Sequence, residues 1–324
     1  MTDPLPTPHL ALPTRNLPRT DLVLDELVLG TWGLCGGGYG RVYDEQRKAT
    51  LARAWELGVR SFDMAPCWGP DGLSERAVAE QVGARRGEAV YVTRAGKLAA
   101  EYGLESDFSA SALRQSCEAS LSRLNTDHID VWLLHNPSEQ ELGRDETRAT
   151  AEALQREGKL RVWGASVSGE SDARAALAAG AQVLCVPFNL LTPRVYWDIE
   201  AACSAQGVGV LSRSVLLYGM LAGRFSANKR FGPEDHRAQR WSHDAVRERV
   251  RQTHELRDHL HGGPALNVLS LALRFALAQP GVTSAIVGPR TPQQVETLLN
   301  AVEGERPALP PEQLTLLRHT VQSF

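Results

Sequence analysis

An alternation of apolar runs with helical-period segments constrains this chain more than any other feature. Strands are expected at Leu27–Gly30, Ser61–Met64, Ala89–Arg94, Ile129–His135, Val162–Val167, Val183–Phe188, Val208–Arg213 and Ser284–Val287. Several are nearly unbroken in apolar residues, the pattern of strands buried on both faces. Between them, Ser111–Leu124 places Ala112, Leu113, Ser116, Cys117, Ser120, Leu121 and Leu124 on one helical face. Glu146–Glu157 and Ala173–Ala179 keep the same period. Gly158 and Gly180 follow them where a left-handed C-cap is wanted, and Gly58 and Gly207 repeat the device after Leu57 and Gln206. Eight strand–helix units of this kind predict an α/β fold, a parallel barrel rather than an open sheet.

Two segments fall outside the repeat. Thr14–Glu26 precedes the first strand and is expected to form a hairpin closing the barrel's bottom. The stretch 226–263, after the seventh strand, is polar and arginine-rich, with histidines at 236, 243 and 254. A helix is expected around Ser242–Leu260; excursions this long are functional or mobile, and the plain alternative is a solvated helix without a ligand role. Residues 1–13 are Pro-rich and lack the charged and apolar regions of a signal peptide, so they read as a disordered lead-in to a single domain over 14–324.

Composition narrows the function class. The net charge is -3 with mixed signs, there is no basic stripe for nucleic acid, and no apolar run is long enough for a bilayer. The five cysteines, Cys35, Cys67, Cys117, Cys185 and Cys203, are odd in number and irregular in spacing. That fits reduced thiols in a cytoplasmic protein. No Cys/His spacing suggests a metal. Gly36-Gly37-Gly38-Tyr39-Gly40 has no following Lys-Ser/Thr and reads as an entry loop, not a phosphate loop.

The run Asp63-Met64-Ala65-Pro66-Cys67-Trp68-Gly69 carries the chemistry. It resembles the second-strand motif of the aldo-keto reductases, and the likeness extends from about Arg15 to Asn300. It includes Leu29-Gly30-Thr31-Trp32-Gly33, Gly58-Val59-Arg60-Ser61-Phe62-Asp63, Ser74-Glu75-Arg76-Ala77 and Asp130-Val131-Trp132-Leu133-Leu134-His135. Gly158-Lys159-Leu160-Arg161-Val162-Trp163-Gly164, Leu211-Ser212-Arg213-Ser214 and Ala285-Ile286-Val287-Gly288-Pro289-Arg290 complete it in order. The resemblance implies a TIM barrel, NADP(H) as cofactor and a small carbonyl or imine as substrate. It implies a catalytic set of Asp, Tyr, Lys and His, which here reads Asp63, Trp68, Arg94 and His135. Indole has no proton to give near neutral pH, and a guanidinium does not lose one. His135 is one substitute acid, as an imidazolium, the alternative being a hydrogen-bonding residue that comes with the fold; Tyr39 and Tyr43 are further candidates for the acid.

The cofactor positions implied are Thr31, Trp32, Ser166, Cys185, Arg213, Ser214, Leu216, Gly219, Leu221, Gly288, Arg290 and Gln294. At the carboxamide clamp only Ser166 stays polar, with Val167 and Cys185 beside it. The 213–224 loop suits a pyrophosphate through its backbone N–H groups, and Arg290 suits a 2′-phosphate. The asparagine expected near Leu298 or Leu299 is absent. Cys35, Cys67 and Cys185 are expected at the barrel mouth, where Arg94 would activate a thiolate; the alternative is small apolar packing. Trp132 and Trp163 read as barrel packing. Three functions follow: an NADP(H) oxidoreductase with a degenerate tetrad, a non-redox enzyme performing elimination, isomerisation or cyclisation, or a silent binding protein.

Overall fold

The structure is a computed structural model that describes residues 12–36, 38–100, 103–258, 267–302, 309–322 and 324. Twelve strands are formed among the described residues, and eight of them close into the expected parallel barrel. Its staves are β3 (Leu27–Gly30), β4 (Ser61–Asp63), β5 (Val90–Ala95), β8 (Ile129–His135), β9 (Leu160–Ser166), β10 (Val183–Pro187), β11 (Gly209–Arg213) and β12 (Val282–Val287). They pair in chain order, and β12 returns to β3 with Ala285 opposite Leu27. Each prediction from the apolar runs is matched within two residues at either end. The helices match as well, at Ala110–Leu124, Asp145–Arg156 and Glu170–Ala178. Gly58, Gly158, Gly180 and Gly207 all take the left-handed conformation their positions demanded, with φ of 93°, 76°, 88° and 62°.

The hairpin is present as β1 (Thr14–Asn16) paired with β2 (Val23–Asp25). Its Leu17, Leu22 and Leu24 are fully buried against Val28, Val92, Val131, Leu133, Val162, Val183 and Leu211, which fill the barrel interior. This is the plug at the bottom. A second apolar layer lies between barrel and helices and takes in Trp132 and Trp163, so both are packing residues. Gly164 marks the tightest inner contact: a Cβ there would lie 1.9 Å from the Val183 carbonyl oxygen.

The 226–263 segment differs from the solvated-helix alternative. A short helix at His236–Arg240 is followed by a long one at His243–Asp258, which buries Val246, Val250, Thr253 and Leu256. Residues 259–263 of the excursion, and residues 1–11 of the lead-in, lie outside the described residues. A small antiparallel pair, β6 (Lys97–Ala100) and β7 (Gly103–Ser106), follows β5 and was not legible in the apolar pattern. Among the described residues no helix is long and apolar enough to cross a membrane.

Candidate active site

The two-residue period of strands does most of the placement. On β5 the Val90 and Val92 face is the inner one, so Arg94 follows them inward. By the same alternation Asp63, His135, Ser166, Cys185 and Arg213 sit on the inner face at the carboxyl ends of β4, β8, β9, β10 and β11. Register brings them level: His135 stands opposite Ser166, and Ser166 opposite Cys185.

Asp63 and Arg94 form a buried ion pair, Arg94 Nη1 to Asp63 Oδ1 at 2.5 Å, with each side chain no more than 3% exposed. The same Nη1 donates to the Met64 carbonyl at 2.8 Å, and Nη2 lies 3.6 Å from the Cys185 sulfur. The Trp68 ring covers the guanidinium at 4.7 Å and meets the His135 ring edge to face at 6.2 Å. Cys67 places its sulfur 3.6 Å from His135 Nδ1. The motif loop is braced from outside: Thr31 donates to the Asp63 carbonyl and bonds Ser74, whose hydroxyl accepts from the Ala65 N–H. Glu75 is fully buried between Thr93 and Arg123, at 2.6 Å from each.

Burial sets the protonation states. It pushes the Asp63 carboxyl up, against the pull of Arg94. It holds the His135 imidazole well below its ordinary value, with Arg94, Lys97 and Arg213 adding like-charge repulsion. The ring is therefore neutral at physiological pH, which corrects the expectation of an imidazolium acid. Burial also raises the thiols of Cys67 and Cys185 and lifts Cys35 to about 11, in each case outweighing the cations nearby. An activated thiolate at the mouth is corrected on the same ground. Tyr39 is raised further by burial and Tyr43 is exposed, and neither contacts the Asp63–Arg94 pair in the described bonds.

The other positions divide sharply. Arg213 donates to the Val167 carbonyl and Ser168 hydroxyl, while its Nε is buried without a partner among the described residues. Ser214, Leu217, Tyr218, Gly219 and Gly223 all have positive φ, so the loop after β11 is wound into successive left-handed turns. Leu221 is fully buried and contributes only backbone to that loop; Leu216 is partly buried and Gly288 exposed. Arg290 is mostly engaged by backbone and keeps little for a phosphate. It donates to the carbonyls of Gly33, Tyr39, Gly40 and Arg41, leaving one Nη1 N–H. Gln294 accepts from the Arg290 backbone N–H. Ser166, Val167 and Cys185 are all buried at the floor.

Sequence reading missed the clasp over the mouth. Trp32, Tyr39, Tyr218 and His236 pack edge to face with centroids 4.8–6.5 Å apart. Tyr39 bridges Asp235, and the His236 N–H donates to the Gly38 carbonyl. Arg237 locks the group: it pairs with Asp235, donates to the Tyr218 carbonyl and lies 4.7 Å from the Tyr39 ring. A charged residue in a polar excursion gives no sequence signal of such a role. Among the described residues no group of three His, Cys, Asp or Glu is placed to hold a metal.

The aldo/keto reductase family profile matches residues 26–320. The chain belongs to that family. It is 26% identical over 296 residues to an aldo-keto reductase, YhdN, of Bacillus subtilis (strain 168), covering 87% of this chain and 86% of that one. It is 27% identical over 298 residues to the L-galactose dehydrogenase of Arabidopsis thaliana, covering 89% and 87%. The holo form of the aldo-keto reductase AKR11C1 from Bacillus halodurans superposes with a TM-score of 0.80 at 23% identity, covering 95% of this chain and 96% of that one. This last likeness supports the barrel alone.

A nicotinamide dinucleotide fits one end of the site better than the other. The left-handed loop 214–223 and the unpartnered Arg213 Nε suit anionic oxygens. The carboxamide end offers the Ser166 hydroxyl between two buried apolar neighbours, Val167 and Cys185.

Proposed function

We propose that this aldo/keto reductase reduces a small carbonyl or imine with NADP(H), using a tetrad in which Trp68 and Arg94 replace the usual acid and its lysine. The observation that carries the reading is the pair Asp63–Arg94 set beside His135 at the strand ends of a family barrel. The phosphates would be held by the 214–223 loop with Arg213, and the remaining N–H and charge of Arg290 favour a 2′-phosphate. When bound, the nicotinamide supplies hydride. Arg94 is fixed by Asp63 and the Met64 carbonyl and lends positive potential to an oxygen gaining charge. The neutral imidazole of His135 orients that oxygen as a hydrogen-bond donor. Trp68 walls the site and keeps water from Arg94.

Titration with NADPH, NADP⁺ and NADH, followed by tryptophan quenching and calorimetry, tests the reading. Binding at micromolar NADPH, tighter than NADH, together with turnover of a carbonyl and imine panel, is the expected result. The buried apolar character of Val167 and Cys185 favours a second reading, non-redox chemistry on the same polar set. Its mark is turnover with no nicotinamide present. No binding at millimolar cofactor removes hydride transfer.

A further inference from the structure

We propose that Cys67 and His135 form a proton relay in which the Cys67 thiol is the proton source and the imidazole its carrier, standing in for the donor that Trp68 lacks. The inference rests on the reductase reading and deepens it. Cys67 Sγ lies 3.6 Å from His135 Nδ1, on the residue immediately before Trp68. A thiol donates weakly and accepts more weakly still, so the pairing makes Nδ1 the acceptor and leaves the ring proton on Nε2. Trp68 packs edge to face on the ring and lies over Arg94, so the imidazole plane is fixed. Cys67 is partly exposed, so solvent reaches it.

The charged groups around the pair suit this use. Cys67 faces Arg94, Lys97 and Glu75; His135 faces Arg94, Lys97 and Arg213. Burial keeps the thiol protonated and the ring neutral, so both partners start in the required form. A neutral ring is a poor terminal acid, but it passes a proton when a donor sits on its other nitrogen. The carbonyl carbon accepts a hydride from reduced nicotinamide, and the π pair of the C=O bond moves onto oxygen. That oxygen takes the Nε2 proton while Nδ1 takes the thiol proton. The ring ends neutral with its tautomer exchanged, and the negative charge comes to rest on sulfur beside Arg94 and Lys97. Solvent then protonates Nε2, and Nδ1 returns its proton to the sulfur.

The tautomer is read directly by ¹H–¹⁵N spectra of histidine-labelled protein, with His135 assigned by its absence in His135→Gln. The expected result is a proton on Nε2 in the wild type, lost to a mixture in Cys67→Ala. A proton on Nδ1 in the wild type overturns the relay, whether or not any variant folds. In NADPH-dependent reduction, Cys67→Ala and Cys67→Ser are expected to lose kcat by a factor of about 10²–10⁴ with little change in carbonyl KM. An unchanged kcat also overturns it. A wild type that keeps the Nε2 proton but binds no NADPH overturns the reductase reading instead, and the relay as a step in reduction goes with it.

Discussion

Arg94 shows how many groups one side chain can hold at the end of a barrel strand. A lysine at this place would be a single flexible ammonium, whereas the guanidinium reaches Asp63, the Met64 carbonyl and the Cys185 sulfur at once while Trp68 covers it. The pair is dry, so neither half tolerates losing the other. Arg94→Met leaves a buried carboxylate without its cation and is expected to cost about 3–5 kcal/mol in urea unfolding. A loss below about 1 kcal/mol would show that Asp63 finds another partner. Protonation at His236 is a second residue-scale effect. Burial, with Arg240 beside it, lowers its pKa to about 4. As pH falls below about 6.5 the unfolded chain takes up this proton before the folded one does. Its contribution to stability is therefore complete above that pH and is lost on the way down to about 4. In His236→Asn the decline of the urea midpoint between pH 7 and 4 is expected to be shallower than in the wild type. Parallel curves would show that His236 titrates alike in both states.

Among elements, the excursion after β11 is the one whose sequence and role are furthest apart. Its composition is that of a surface segment, yet His236 and Arg237 tie it to the first loop through Tyr39 and Gly38 and to the 214–223 loop through Tyr218. Arg237 is the keystone because its ion pair with Asp235 is nearly buried, each side chain 15% exposed. Arg237→Ala removes charge-assisted hydrogen bonds of the class worth about 1.5–3 kcal/mol. The expected outcome is faster amide exchange at Tyr39 and His236, with the barrel strands still protected. Exchange rising equally across β5 and β8 would mean that the clasp and barrel unfold together.

At the scale of the whole molecule, two ends of one barrel serve different purposes. The amino end is closed by the hairpin, with Leu17, Leu22 and Leu24 filling the space under Val28, Val131 and Leu211. The carboxyl end holds the polar set and is crossed by the clasp. Leu22→Ala opens a cavity in the plug and is expected to cost about 2–5 kcal/mol in urea unfolding. NADPH affinity should not change, because the plug lies at the opposite end from the mouth; a matched loss of affinity would show the two ends to be coupled.

The sequence by itself determined the barrel, its eight strands and the hairpin plug, and its ordered motifs named Asp63, Trp68, Arg94 and His135 together through the family resemblance. Each of these rests on local periodicity or on a short ordered motif, and both survive in a linear string. Tertiary structure alone decided that His135 is neutral, that Cys67 reaches Nδ1, that Arg290 holds loop carbonyls and that Arg237 clasps the mouth. These depend on burial and on contacts between segments far apart in the chain. Charge state and hydrogen-bond partner are properties of surroundings, and a residue's surroundings exist only once the chain has closed.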